Sequence, residues 1–331
     1  MKPKGTLLLG RRDVAALLSL DECVAAVEQA FKSHAEGKSP PPGVLAVHAC
    51  DGAFHIKAAG LELARPYFAA KVNGNFFQNK QRFGMPNIQG VIALCDAENG
   101  YPLAVMDSIE ISILRTGAAT GVAARYLARP DASVATICGC GNQGRVSLRA
   151  LAAMRRLERV YAFDIDHEQA ERYAEELSGE LRIVVTAVRD FSKAVGVSDI
   201  CMTCTPSKQP YLNRSDVMPG AFIAAVGADN EEKQELDPHL IAASKVVVDN
   251  LDQCAAIGDL KLALKQGLMT REDVHAELGE VIAGRKPGRE NSEEVIVFDS
   301  TGTALQDVAA AAIVYEKAVA TDRGILLDFA E

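Results

Sequence analysis

Apolar positions recur along this chain with two different periods, and the texture changes near Pro130. Before that point a helix is expected from a cap at Asp21, through Cys23-Val24-Ala25-Ala26-Val27, to about His34, where Pro40-Pro41-Pro42-Gly43 breaks it. Short strand-like stretches follow at Val44–His48, Phe54–Ala58, Tyr67–Asn73, Val91–Asp96 and Leu103–Asp107, punctuated by glycines. Strands so spaced, with no helical pattern between them, predict an antiparallel sheet or open barrel. The alanine-rich block Thr116–Leu127 reads as a packed helical connector.

After Pro130 strands and helices alternate. Ser133–Cys138, Arg159–Phe163, Ile183–Ala187, Asp199–Thr203, Ala221–Val226, Lys245–Asp249 and Val295–Phe298 read as strands, and Arg145–Leu157 and His167–Leu177 as helices. Alternation of this kind implies a parallel sheet covered on both faces. A last amphipathic helix spans about Ala304–Val319. The N-terminal sheet is too small to be closed by its own helix, so this last helix is expected to return and pack on it. The fold class is therefore α/β: a doubly wound parallel sheet inserted in a second, α+β domain with an open-barrel-like sheet. The expected domains are 1–116 plus 304–331, and 117–303.

Length and charge narrow the possibilities. At 331 residues two domains are the default, since domains run about 100–200 residues. A net charge of -9 argues against a nucleic-acid or anionic-membrane binder. No apolar run approaches the ~18 residues of a membrane span. Leu7-Leu8-Leu9, between Lys4 and Arg11-Arg12, is too short for a secretory leader core, so a cytoplasmic location is expected. Of the eight cysteines only Cys201 and Cys204 form a CxxC, inside a strand-like run where positions three apart face opposite ways. Buried, inert thiols are expected and no metal site.

Gly139-Cys140-Gly141-Asn142-Gln143-Gly144 directly follows a strand and opens a helix. In that context the glycines permit a tight turn, close approach of a pyrophosphate to the backbone, and close packing of helix on strand. The helix N-terminus then offers unpaired amides and a positive dipole end, with Asn142 and Gln143 at the turn. The bland alternative is a glycine turn with no ligand. The next strand ends at Asp164, 25 residues after Gly139. A carboxylate there accepts hydrogen bonds from a ribose and repels a 2′-phosphate, so NAD is favoured over NADP. Asp166 follows with no arginine beside it, while Arg145 at the helix start is the counter-argument.

Basic residues on apolar strands are the second signal. Lys71 sits in Tyr67-Phe68-Ala69-Ala70-Lys71-Val72-Asn73, Lys57 in Phe54-His55-Ile56-Lys57, and Arg115 precedes the alanine-rich connector. Such cations need an anion or a buried carboxylate to offset desolvation, and a substrate carboxylate would serve. Alternatively each one snorkels to solvent or pairs with a surface acid. Asp229 follows Val226-Gly227-Ala228 at the carboxyl end of a parallel strand, where open α/β sheets bind ligands. It is a candidate proton carrier, or a simple loop cap. His239 and His275 read as surface or packing residues.

Five runs carry a resemblance. Lys71-Val72-Asn73-Gly74-Asn75, Ala104-Val105-Met106-Asp107, Leu114-Arg115-Thr116-Gly117-Ala118-Ala119, Gly227-Ala228-Asp229 with Lys233-Gln234-Glu235-Leu236, and Phe298-Asp299-Ser300-Thr301-Gly302 together resemble the ornithine cyclodeaminase/μ-crystallin family, in the same order over nearly the whole chain. The stretch Glu272–Gly284 is most similar to the archaeal-type alanine dehydrogenase branch. The resemblance implies a homodimer with a Rossmann domain inserted in the substrate domain. It implies that Lys71 and Arg115 bind a substrate carboxylate and that Asp229, with Lys71, is catalytic. It places Asn87, Arg115, Asn142, Gln143, Asp164, Thr205, Val226, Gly227, Lys233 and Ser300 at the cofactor, and Thr301 against the substrate. Relatives carry a basic residue just after the proline pair, where this chain has Gly43; Lys57 is the candidate substitute.

The expected activity is an NAD(H)-dependent reaction at the C–N bond of a small α-amino or α-imino acid, alanine dehydrogenase-like or imine-reducing. One rival is a cyclodeaminase, an ammonia lyase in which the hydride returns to substrate. The other is a cofactor-binding protein without turnover, for which Lys71, Arg115 and Asp229 would serve no purpose.

Overall fold

The computed structural model describes residues 5–328. The chain divides into two compact units, Met1–Arg115 with Thr303–Glu331, and Thr116–Gly302. It opens with β1 (Thr6–Leu9), α1 (Arg11–Leu17), α2 (Leu20–Ala35), β2 (Gly43–Ala49), β3 (Gly52–Glu62), β4 (Pro66–Asn75), α3 (Asn79–Phe83), β5 (Ile88–Asp96), β6 (Pro102–Asp107) and α4 (Ile109–Leu127). Alternation follows: β7 (Val134–Cys138), α5 (Asn142–Met154), β8 (Arg159–Phe163), α6 (His167–Leu181), β9 (Val184–Ala187), α7 (Phe191–Val195), β10 (Ile200–Thr203) and β11 (Phe222–Ala225). Then come α8 (Pro238–Ala242), β12 (Lys245–Val248), α9 (Leu251–Ile257), α10 (Leu260–Lys265), β13 (Ala276–Glu277), α11 (Leu278–Ile282) and β14 (Ile296–Asp299). The chain closes with α12 (Ala304–Ala320) and β15 (Ile325–Leu327).

The first unit holds a seven-stranded sheet in the order β15-β1-β6-β5-β4-β3-β2. β1 runs parallel to β6, and the remaining neighbours are antiparallel. Period two sorts its side chains onto two faces. Leu61, Tyr67 and Asp96 form one cross-strand row, Ala59, Ala69 and Leu94 the next, and Lys57, Lys71 and Ile92 a third. All nine are buried, because α12 packs on β3, β4 and β5 and is itself backed by α2. The return of the last helix onto this sheet thus follows the expectation from the sequence. The opposite face carries Leu45, Ile56, Val72 and Val91 in register, with Leu45 and Val91 exposed.

The second unit is an eight-stranded parallel sheet in the order β13-β12-β14-β11-β10-β7-β8-β9. Strands β10, β11 and β14 are buried at every position, which is why they read as unbroken apolar runs. From β9 the order runs β9-β8-β7-β10-β11, so the winding reverses between β7 and β10. A crevice at the carboxyl ends of strands is expected at such a switch point.

Four local details differ from the sequence reading. Ser19, not Asp21, caps α2: its hydroxyl accepts from Glu22 N while Glu22 Oε2 accepts from Ser19 N, a reciprocal capping box. Helix α4 begins at Ile109, seven residues before Thr116, because Ile109-Glu110-Ile111-Ser112-Ile113 alternates apolar and polar like a strand. Helix α5 begins at Asn142, inside the glycine loop itself. Strands β1 and β15 pair with each other over three residues each, too short to stand out in the pattern.

Leu94 is fully buried in the central row under α12. Leu94→Ala should destabilise the first unit by about 2–5 kcal/mol, seen as a lower denaturation midpoint at unchanged m-value. A midpoint within error of wild type would show that this row is not a core layer.

Candidate functional site

In the first unit the β3/β4 register sets Lys57 directly opposite Lys71, both buried. Like charges facing each other across strands oppose pairing, and burial adds the cost of desolvation. The counter-charge comes from α12. Lys71 Nζ lies 2.7 Å from Asp307 Oδ2 and donates to Oδ1 at 2.9 Å, with Ser112 Oγ at 3.3 Å. Arg115, on α4, brings Nε to 3.3 Å from Asp307 Oδ1 and donates from Nη1 to Gln306 Oε1 at 2.7 Å. Two cations therefore meet one carboxylate, with Lys57 across the strand from the first, and Asp307 is 1% exposed. Burial pulls the Lys71 ammonium down to about pH 7, with Asp307 pushing the other way and Arg115 and Lys57 adding to the fall. A guanidinium beside an ammonium is the pair of groups that suits a carboxylate.

Asp307 and Gln306 escaped the sequence reading. Their signal was present: a polar pair, Gln306-Asp307, at the start of an alanine-rich helix whose first turns have no exposed face. Asn87, expected at the cofactor, lies in this unit, where its Oδ1 accepts from Lys80 N at 3.0 Å.

In the second unit the glycine loop has the geometry a dinucleotide requires. Gly139 has φ +101°, and a Cβ there would meet Cys204 O at 2.7 Å. Around Gly141, the N-cap of α5, there is open space, and no side chain caps the helix. A Cβ on Gly144 would meet Gly139 O at 2.1 Å. The three glycines thus serve turn, approach and packing in that order, and the free amides of a 13-residue helix face the opening. These residues fit a pyrophosphate. Asp164 is held rigidly: Oδ2 accepts from Cys140 N and Gln169 Nε2, both at 2.8 Å, and Oδ1 from Asp166 N at 3.0 Å. Asp166 caps α6. Arg145 is tied to Glu176 at 2.9 Å and lies over the Tyr173 ring, so it is engaged within this unit.

Asp229 is partly exposed in the loop after β11, and its Oδ1 accepts from Lys233 Nζ at 2.7 Å. The structure thus joins two residues that the sequence placed in different roles. Thr205 donates from N and Oγ1 to Glu235 Oε1. Ser300 Oγ donates to Asp249 Oδ2 at 2.8 Å and Thr301 Oγ1 lies 3.4 Å from Asp249 Oδ1. Val226 and Gly227 close the end of β11, with Gly227 N donating to Glu235 Oε2. Glu235 and Asp249 were not singled out from the sequence, although Asp249 directly follows the apolar strand β12. All eight cysteines are free thiols, and burial raises Cys138, Cys140, Cys201, Cys204 and Cys254. Exposed His239 and half-buried His275, which meets Pro287 O, lie apart from these groups in the sheet order.

The family model described as the ornithine cyclodeaminase/mu-crystallin family matches residues 4–322. The chain belongs to that family. It is 39% identical to an alanine dehydrogenase of Archaeoglobus fulgidus, over 98% of each chain. Among solved structures it resembles an archaeal alanine dehydrogenase dimer with bound NAD, at TM-score 0.94 and 38% identity over 98% of this chain and 99% of that one. The Δ1-pyrroline-2-carboxylate reductase of Thermococcus litoralis, solved with NADH and L-proline, matches at TM-score 0.91 and 34% identity, over 97% of this chain and all of that one. Among the described residues no helix is long and apolar enough to cross a membrane, and no group of three His, Cys, Asp or Glu is placed to hold a metal.

The Lys71–Asp307 contact sets a pH dependence. The ammonium is charged below about pH 7 and loses its proton above it. Binding of a small monocarboxylate should therefore weaken as pH rises through that point. Asp307→Asn removes the group that holds the Lys71 proton, so the midpoint should move to lower pH by about one unit or more. Calorimetric titration at several pH values checks this, and an unmoved midpoint would show that Asp307 is not the counter-charge.

Proposed function

We propose that the protein is an NAD(H)-dependent oxidoreductase that acts at the C–N bond of a small α-amino or α-imino acid. The observation that carries this reading is the buried Lys71–Arg115–Asp307 constellation, in a chain whose second unit bears a complete dinucleotide loop. Relatives named alanine dehydrogenase, Δ1-pyrroline-2-carboxylate reductase and iminosuccinate reductase support it, since all three names describe carbon–nitrogen chemistry next to a carboxylate.

Lys71 and Arg115 bind the substrate carboxylate and so orient its α-carbon, with Lys57 adding positive charge and Thr301 lying against the substrate. When bound, the nicotinamide accepts or supplies the hydride at that carbon. Asn142, Gln143 and the Gly139–Gly144 backbone take the pyrophosphate, and Asp164 takes the adenosine ribose. Thr205, Val226, Gly227, Lys233, Ser300, Asn87 and Arg115 complete the cofactor contacts. Asp229 takes up or gives the proton on the substrate nitrogen, and its Oδ1 accepts from Lys233 Nζ at 2.7 Å. In the oxidative direction water hydrolyses the resulting imine to an oxo acid and ammonia. In the reductive direction an imine becomes an amino acid.

The functional molecule is read as a homodimer closed through the open face of the first unit's sheet. Leu45, Val47, Phe54, Phe68 and Val91 are each more than a third exposed there. An apolar face of that kind marks a protein interface, and one of the similar solved structures is described as a dimer.

Two outcomes test the reading. With pyruvate and ammonia, cyclic imino acids and ornithine each offered alongside NADH, net cofactor oxidation by one of the first two should appear, and Asp229→Asn should lower kcat by about 10²–10⁴-fold while cofactor affinity holds. Turnover unchanged in that variant overturns the role of Asp229, and proline and ammonia formed from ornithine without net cofactor change favours lyase chemistry. Sedimentation should give about twice the 35.3 kDa chain mass for wild type and the single-chain mass for Val91→Asp; a monomeric wild type would sink the dimer assignment.

A further inference from the structure

Four carboxylates lie fully buried at the carboxyl edge of the parallel sheet, and the reaction proposed above uses none of them. They are Glu235, Asp249, Asp259 and Asp299, each no more than 2% exposed. Each accepts hydrogen bonds from the segment that follows a different strand. Glu235 Oε1 accepts from Thr205 N at 2.6 Å, Thr205 Oγ1 at 2.7 Å and Tyr211 OH at 2.9 Å, and Oε2 accepts from Gly227 N at 2.9 Å. Asp259 Oδ1 accepts from Glu235 N and Leu236 N at 2.7 and 2.9 Å. Asp299 accepts from Asp259 N and Leu260 N at 3.2 and 2.9 Å. Asp249 Oδ2 accepts from Ser300 Oγ at 2.8 Å and Gly302 N at 2.6 Å. The acids therefore form a continuous tie from the loop after β10 to the ends of β12 and β14.

Two neighbouring glycines are shaped by this tie. A Cβ on Gly227 would lie 2.3–2.6 Å from the Glu235 carboxylate, and one on Gly258 would lie 2.4 Å from Asp299 Oδ2. Neither glycine has a positive φ, so close approach of a carboxylate is what excludes a side chain there. Glu235 is the node with most donors. Four groups from two loops point at it, which only an acceptor-only side chain with two oxygens can satisfy. A glutamine of the same shape would turn an NH₂ against at least one of them.

We propose that Glu235 is a positioning residue: its carboxylate clamps the loop after β10 at Thr205 to the loop after β11 at Gly227, and so holds the nicotinamide contacts and the Asp229 segment in register. The inference rests on the oxidoreductase reading and deepens it. The clamp lies within the second unit, whereas the carboxylate-binding Lys71 and its partner Asp307 belong to the first.

Glu235→Gln therefore separates two constants. In the full-length enzyme, NADH affinity by fluorescence titration should fall about tenfold or more and kcat should drop, while the inhibition constant of a small monocarboxylate stays within about twofold of wild type. Tyr211→Phe removes one donor and leaves the carboxylate, so it should weaken NADH two- to threefold with the carboxylate constant unchanged, and it serves if the first variant does not fold. NADH affinity unchanged in the folded variants overturns the clamp, as does an equal loss of both constants. Wild-type enzyme that neither binds NADH nor turns over an imine would instead overturn the underlying reading.

Discussion

The ion pair between Lys71 and Asp307 is the contact on which the first unit's organisation turns. A lysine on a sheet face under a helix is costly unless a carboxylate comes to meet it, and here the carboxylate rides on that covering helix. The cross-strand register adds Lys57 to the same row, and α4 adds Arg115, so more positive than negative charge is gathered under the helix. A hydrophobic set of the same volume would pack better. The pattern instead keeps cations where water is excluded, and their electrostatic pull is strongest there. It is a stability cost, which the proposed binding of a substrate carboxylate would explain.

The second unit solves the opposite problem. Its parallel strands end in loops with no regular structure to hold them, and loops are ordinarily the mobile part of a fold. Buried acids replace the missing ladder by accepting the loops' own amides. Burial and mutual repulsion push Asp259 up to about pH 7 and raise Glu235 and Asp299 as well, with the donated amides pulling each back. An acid whose folded pKa exceeds its unfolded one binds protons more readily in the native state, so this group of acids makes the fold more stable toward pH 5–6 than toward pH 8.

Most of the architecture was legible in the sequence because its signals are local. The strands after Pro130 are continuous apolar runs, and the glycine loop sits between strand and helix, so sheet type and phosphate-binding turn both follow from neighbours in the chain. Lys71, Lys57 and Arg115 stood out as charges in apolar surroundings. Their counter-charge did not, because Asp307 is 236 residues from Lys71 and nothing in its own helix says which strand it meets. Likewise Glu235 was visible only as part of a motif, since its four donors come from Thr205, Tyr211 and Gly227. The start of α4 was missed for another reason: Ile109-Glu110-Ile111-Ser112-Ile113 has strand-like alternation that tertiary packing overrides.

The distance between Lys71 and Asp307 also has a bearing on biosynthesis. β4 leaves the ribosome long before α12 exists, and the whole parallel unit is made in between. At about 5–20 residues per second the nascent lysine waits roughly 10–50 s for its carboxylate. The inserted unit, which is one continuous stretch of chain, can fold during that interval. The first unit cannot bury its cations until the final helix emerges, so its assembly is necessarily a late event, and a chain cut short before α12 would present an uncovered basic sheet to the cell's quality control.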